Sequence, residues 1–195
     1  MNDMKKISTL FKKDPNDLGR VIDEVDPENA WALTEGIATR KFDGTACAII
    51  DGELYKRYDV KRNKKTGEFP TVPVFSIPCQ EPDAITGHWP HWVKCDRAKP
   101  EDKYHFEAVD YYCRHGETAP PDGTYELIGP KINGNREQFE KHTLWRHGLT
   151  ILMLTDRSFS SIKRFLELYD FEGIVFHHPD GRMCKIRNSD FGLIR

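Results

Sequence analysis

The sequence predicts an α+β fold dominated by antiparallel strands, with helices packed outside them. Three observations carry that expectation. Two pairs of strand-like runs are closed by turn residues, 45–50 with 53–58 around Asp51-Gly52, and 173–178 with 183–187 around Pro179-Asp180-Gly181. Helical spacing of apolar residues is clear in two segments, 100–116 and 158–170. The chain is 195 residues long, the size of about one domain, so a single domain is expected over 1–195.

In chain order, residues 1–30 read as a polar N-terminal extension with a short strand at 7–11. The hairpin 45–58 follows, then a basic loop at 61–67 (KRNKKTG). Six prolines between positions 70 and 100 predict irregular chain anchored by Trp89 and Trp92. The helix at 100–116 opens on Pro and acidic residues and places Phe106, Val109 and Tyr112/Cys113 on one stripe. Strands are expected at 124–128 and 149–155. The helix 158–170 takes Ser158 or Ser160 as N-cap and buries Ile162, Phe165, Leu166 and Tyr169.

Apolar residues make up 38% of the chain and charged residues 31%, with 11% aromatics, a globular balance rather than a disordered one. Twenty-nine Lys and Arg face 31 Asp and Glu, so no global basicity marks a nucleic-acid partner, although a local basic groove fits a net charge of −2. Apolar runs such as 149–154 are too short to span a bilayer, and the first residues lack a secretion signal. Five cysteines without a CxxC pair read as reduced thiols of a cytoplasmic protein rather than a disulfide scaffold. Cys79, His88, His91 and Cys95 share the residue types of a Cys2His2 zinc site, but their spacing is looser than the usual tight pairs, so a loop with buried polar side chains is expected instead.

Lys41 opens the motif KFDG at the entrance to the first hairpin. A lysine is a nucleophile only as the free amine, and a pKa of about 10.4 leaves well under ~0.1% of it deprotonated at neutral pH. A site that uses it lowers that pKa through desolvation or nearby cations. Gly44 permits a close approach of backbone or ligand, and Asp43 can hold the turn. Alone, K-x-D-G recurs by chance in roughly a few per cent of chains this long and reads as a surface lysine before a turn. Three further segments accompany it. TYELIG (124–129) places Glu126 in a strand, FEGIVF (171–176) places Glu172 at the start of another, and CKIR (184–187) puts Lys185 and Arg187 on one strand face. Two cations on one face of a half-buried strand are costly unless an anion sits beside them.

Together and in this order, these motifs resemble those of the covalent nucleotidyltransferases, the superfamily of ATP-dependent DNA ligases, RNA ligases and mRNA capping enzymes. The stretches ATRKFDGTACAI, YKRYDVKRNKK, TGHWPHWV, YELIGPKINGN and EGIVFHHPDGRMCKIRNSDFGL are similar to the small 5′–3′ RNA ligase family that has a vertebrate member. The resemblance implies a nucleotidyltransferase (adenylation) domain of antiparallel sheets flanked by helices, with motifs from 41 to 187. It implies ATP as nucleotide, Mg²⁺ or Mn²⁺ as metal, and RNA with 5′-phosphate and 3′-hydroxyl ends as partner, joined by a monomer through lysyl-AMP and RNA-adenylate. Lys41 would carry the AMP, Arg40 and Arg57 would contact the nucleotide, and Glu126 would take the ribose hydroxyl. Glu172 would serve the metal, and Lys185 with Arg187 would hold the phosphates as catalytic cations. Arg187 stands where many ligases carry a second Lys, keeping the charge and adding a planar fork. Trp145 and His147 are alternatives for stacking on adenine. Only eight residues follow Arg187, so no C-terminal OB-fold is expected, which disfavours the DNA-ligase and GTP-dependent capping readings that share the lysine chemistry. Lys61, Arg62, Lys64 and Lys65 of the basic loop are the expected RNA-phosphate contacts.

Overall fold

Backbone pairing in the computed structural model, which describes residues 7–83, 87–114 and 118–195, builds twelve strands and two α-helices. Strands β1 (Ser8–Thr9), β2 (Phe11–Lys13) and β3 (Val21–Val25) precede a 3₁₀ turn at Pro27–Leu33 and β4 (Ile37–Lys41). The next strands are β5 (Thr45–Ile50), β6 (Glu53–Lys61), β7 (Ile77–Pro78) and β8 (His88–Lys94), followed by helix α1 (Lys103–Arg114). Then come β9 (Gly123–Ile128), β10 (Thr143–Arg146), helix α2 (Phe159–Tyr169), β11 (Gly173–His177) and β12 (Met183–Arg187). The mixed, sheet-rich α+β class expected from the sequence is what forms. Among the described residues, no helix is long and apolar enough to cross a membrane.

The chain divides into two compact units, one formed by Asp43–His147 and the other by residues 7–42 with Gly148–Arg195. The first unit holds a six-stranded sheet ordered β10-β9-β5-β6-β8-β7. Asp51 and Gly52, both at positive φ, turn β5 into β6, and their amides donate to the Asp122 carboxylate at 3.0 Å each. One cluster of this unit gathers Cys47, Leu54, Tyr125 and Leu127 with Ala108 of α1, while another gathers Ala48, Cys79 and Trp92.

The second unit holds a four-stranded sheet ordered β1-β12-β11-β4 and the hairpin β2-β3. Ile174, Phe176, Cys184 and Ile186 of the sheet pack with Ile162 and Leu166 of α2. Ser158 caps α2 by accepting from the Ser161 amide, and Asp170 ends it in the left-handed region at φ 50°.

Several local expectations need correction. The proline-rich segment contains a seven-residue strand, β8, that carries both Trp89 and Trp92. Pro90 fits there because β7, its outer neighbour, is only two residues long, and the Pro90 carbonyl still accepts from the Cys79 amide. The strand expected at 149–155 does not form as such: Leu152 and Leu154 are partly buried, but among the described residues the segment makes a single bridge to β4, Thr39 to Ile151. Strand β10 was not expected. Tyr169 lies outside the buried stripe of α2 at 52% exposure, its ring centre resting instead 4.6 Å from that of Phe165 and 5.7 Å from that of Phe171. The 7–11 strand divides into β1 and β2 around Leu10. The expected end of the first helix at Gly116 lies outside the described residues.

Candidate functional site

The register of the second unit's sheet brings the lysine motif and the cationic strand together. Gly173 of β11 pairs with Lys41 of β4 on one side and with Arg187 of β12 on the other. Val175, two residues on, pairs with Thr39 and Lys185. Opposed residues share a face and the strand period is two, so Lys41, Lys185 and Arg187 emerge from one face of three adjacent strands. Gly173 leaves the middle of that face bare. A Cβ there would stand 2.4 Å from the Ile186 carbonyl oxygen, so nothing larger than glycine fits between the two cations without moving backbone.

The three cations are unequally compensated. Lys41 Nζ donates to Glu172 Oε2, the residue just before β11. Arg187 is bound by Asp190, with Nη2 donating to Oδ1 at 2.9 Å and the Arg187 amide to Oδ2 at 2.9 Å. Asp190 is fully buried and also accepts from Lys13 Nζ at 2.7 Å. Burial would raise its pKa, but Arg187 and Lys13 hold it below the ordinary carboxylate value. Lys185 has no carboxylate within ion-pair distance among the described residues. Desolvation, then the charges of Lys41 and Arg187, lower its pKa from 10.5 to about 8, against weaker opposing pulls from Glu172 and Asp190. The resulting feature is a mostly buried, unpaired ammonium flanked by two cations, the electrostatic shape of an anion site.

Arg40, on the opposite face of β4, is sandwiched between Phe42 and Phe171, its guanidinium carbon 4.4 Å and 4.1 Å from their ring centres. The structure thus separates it from Lys41 by strand alternation and gives it a packing role against aromatic faces.

In the first unit, the register lines up another set of expected residues. Trp145 of β10 pairs with Glu126 of β9, which pairs with Ala46 of β5. The β5-β6 pairing of Cys47 with Lys56 carries the row on to Arg57, which pairs with Trp92 of β8. Glu126 and Arg57 therefore share a face on either side of the small Ala46. The Glu126 carboxylate meets His147 Nε2 at 2.9 Å, and Arg57 Nε donates to Asp59 at 3.0 Å. His147 thus bears on the carboxylate, while Trp145 packs edge-on to Phe139 at 5.8 Å. Gly44 makes room for this face, since a Cβ there would lie 2.3 Å from the Leu127 carbonyl oxygen and 2.7 Å from Glu126 Cγ. Asp43 accepts from Asn133 at 2.9 Å and its amide donates to Glu137 at 2.9 Å, which ties the turn to the 133–137 loop.

The basic loop is split. Lys61 closes β6, Arg62 lies 4.9 Å from the centre of the Phe69 ring, and Lys64 and Lys65 are exposed in a turn whose amides bond to Asn63. The four residues with zinc-ligand chemistry are not gathered: Cys79 packs with Ala48 and Trp92, Cys95 packs with Cys47 and Leu54, and His91 Nδ1 is engaged by the Trp89 carbonyl. Asp190 and Lys13 are the members of the cationic site that sequence reasoning missed. The only local signal was an acidic residue three positions after Arg187, and Lys13 comes from a distant hairpin. Comparison of the chain with protein-family profiles and with curated proteins returns no match.

Proposed function

We propose that the protein is a covalent adenylyltransferase, transferring AMP from ATP to Lys41 Nζ. The single observation that carries this reading is the unpaired, depressed-pKa ammonium of Lys185 on the same strand face as Lys41 and Arg187. Three cations around a bare glycine call for a polyanion, and the lysine of the KFDG motif stands at their edge.

In the reaction, the Nζ lone pair attacks the α-phosphorus, the bond from that phosphorus to the bridging oxygen breaks, and pyrophosphate leaves. The amine proton passes to solvent. Positioning and charge stabilisation supply most of the catalysis in such transfers. Lys185 and Arg187 would neutralise the phosphate oxygens, with Asp190 and Lys13 fixing the guanidinium plane. Glu172 would be the metal carboxylate: it is partly buried, already faces a cation, and offers the hard oxygen that Mg²⁺ or Mn²⁺ prefers. Such an ion, when bound, screens the triphosphate charge. Engaging Glu172 in that way also relieves Lys41 of the carboxylate that now holds it. Glu126 is assigned to a ribose hydroxyl and Arg57 to the nucleotide.

Within that class we propose the particular activity of an RNA ligase joining 5′-phosphate and 3′-hydroxyl ends. The support is the resemblance of the motif-bearing stretches to small RNA ligases, together with the exposed basic loop.

Incubation with α-labelled ATP and Mg²⁺, followed by denaturing electrophoresis, tests the first step. A labelled band is expected from the wild-type chain and none from Lys41→Ala or from Lys41→Arg, whose guanidinium stays protonated. Label on the Lys41→Ala protein would remove the nucleophile, and better labelling from GTP would move the protein to the capping class. For the second step, Lys185→Ala should impair sealing of a pre-adenylylated RNA, whereas Lys41→Ala should spare it. Faster sealing of nicked DNA than of RNA with the same sequence would overturn the ligase assignment.

A further inference from the structure

Away from the strand face just described, the first unit buries a group of side chains for which the adenylyltransfer chemistry has no use. Cys95 follows β8 directly, Asp102 ends the 3₁₀ turn Pro100–Asp102, and His105 lies in the first turn of α1. One ligand atom from each, the Cys95 Sγ, a carboxylate oxygen and an imidazole nitrogen, lies within 4.8 Å of the other two, and all three residues are buried. Asp102 and His105 are three apart at the start of a helix, a spacing that puts them on one side of the turn.

His105 is the informative member. It is 8% exposed, and neither ring nitrogen has a hydrogen-bond partner. A buried imidazole normally satisfies at least one nitrogen, because an unmet polar atom in the interior costs about 1–3 kcal/mol. We propose that Cys95, Asp102 and His105 form a binding site for one zinc ion, which pins the start of α1 to the end of β8.

The chemistry of the set fits that ion. Thiolate, imidazole and carboxylate are the three zinc donor types, and three protein ligands leave a fourth tetrahedral position for water. Burial keeps His105 neutral, as a ligand must be, with its pKa lowered mainly by desolvation. One thiolate and one carboxylate cancel the two positive charges of Zn²⁺, so the loaded site is electrically neutral and suits a dry interior. The Cys95 thiol, held at about 12 by burial and the neighbouring Asp102 charge, gives up its proton to solvent on binding. Lys56 now donates to Asp102 Oδ1, and Asp102 Oδ2 accepts from the Asp96 amide at 2.9 Å. The ammonium has a second carboxylate at hand, since Glu101 lies 3.9 Å away and is solvent-accessible. A shift of Lys56 towards Glu101 releases Asp102 Oδ1 to the metal.

The test is titration of the metal-stripped full chain with Co²⁺ alone, without nucleotide. One equivalent should produce visible tetrahedral d–d absorption and a near-ultraviolet thiolate charge-transfer band, and Zn²⁺ should displace it. Metal should also raise the thermal midpoint, as any ligand selective for the folded state does. His105→Ala and Cys95→Ala should weaken Co²⁺ binding by at least about a hundredfold, while Cys113→Ala should leave it unchanged. X-ray absorption of the zinc-loaded wild-type chain needs no variant and should count one sulfur ligand with imidazole scattering. The proposal is overturned by wild-type protein that gives no charge-transfer band, by a band that survives Cys95→Ala, or by a zinc shell without sulfur.

Discussion

Replacing Lys185 with Met should stabilise the fold while abolishing its reaction. The wild-type ammonium is mostly buried, has no carboxylate at ion-pair distance among the described residues, and has its pKa lowered from 10.5 to about 8. At about 1.4 kcal/mol per pH unit, that difference corresponds to a cost of about 3 kcal/mol for holding the charge in the folded state at pH 7. Met has nearly the same length and no charge, so Lys185→Met should gain up to about 3 kcal/mol, less whatever the thioether loses in fit. The sign follows from linkage. Between pH 8 and 10.5 the unfolded chain binds more protons at this position than the folded one, so wild-type stability rises through that window relative to the variant. The cost is fully present below pH 8 and gone above 10.5. Paired urea unfolding of both proteins at pH 7 and again near pH 10 measures it, because titrations elsewhere cancel in the difference. A variant no more stable than wild type at pH 7, or a gap that does not shrink towards pH 10, would refute the unpaired-ammonium reasoning. The same variant should lose at least about a hundredfold in labelling from ATP, so stability and activity move in opposite directions.

Three further outcomes are expected. Asp190→Asn should cost about 2 kcal/mol or more in urea unfolding, because it weakens charged hydrogen bonds to both Arg187 and Lys13; the wild-type advantage should fade as pH falls below 3.8, since the folded carboxyl sits below its ordinary value. Gly173→Ala should lower the thermal midpoint and labelling together, as its methyl would press on the Ile186 carbonyl and push β11 from β12; an unchanged midpoint would show that the strands yield freely. Lys64→Ala with Lys65→Ala should weaken RNA binding and reduce the slope of log affinity against log salt by about 1.4, near 0.7 for each single-strand phosphate that is no longer neutralised, as read by fluorescence anisotropy across a salt series.

The hairpin turns were legible because their chemistry is local. Asp51-Gly52 and Pro179-Asp180-Gly181 close the strands where the dipeptides require it, and Ser158 caps α2 through a bond three residues away. Segments whose structure depends on a distant partner were not. Strand β8 exists because β6 pairs along its whole length, which outweighs the disruption at Pro90. Residues 149–155 have a strand's apolar content but make a single bridge to β4 among the described residues, so composition alone did not make a strand of them.

The candidate site divides along the same line. The sequence by itself determined the residue types: a lysine before a turn that demands glycine, two carboxylates at strand positions, and two cations spaced to share a strand face. Only the tertiary structure decided which of those charges meet. It paired Lys41 with Glu172, locked Arg187 onto the buried Asp190, left Lys185 with no carboxylate at ion-pair distance among the described residues, and turned Arg40 to the other side of β4. The physical reason is that strand alternation, like the Asp190 that follows Arg187 by three residues, is written locally, whereas register, burial and the partners Lys13 on Asp190 and Glu172 on Lys41 come from more than a hundred positions away in the chain.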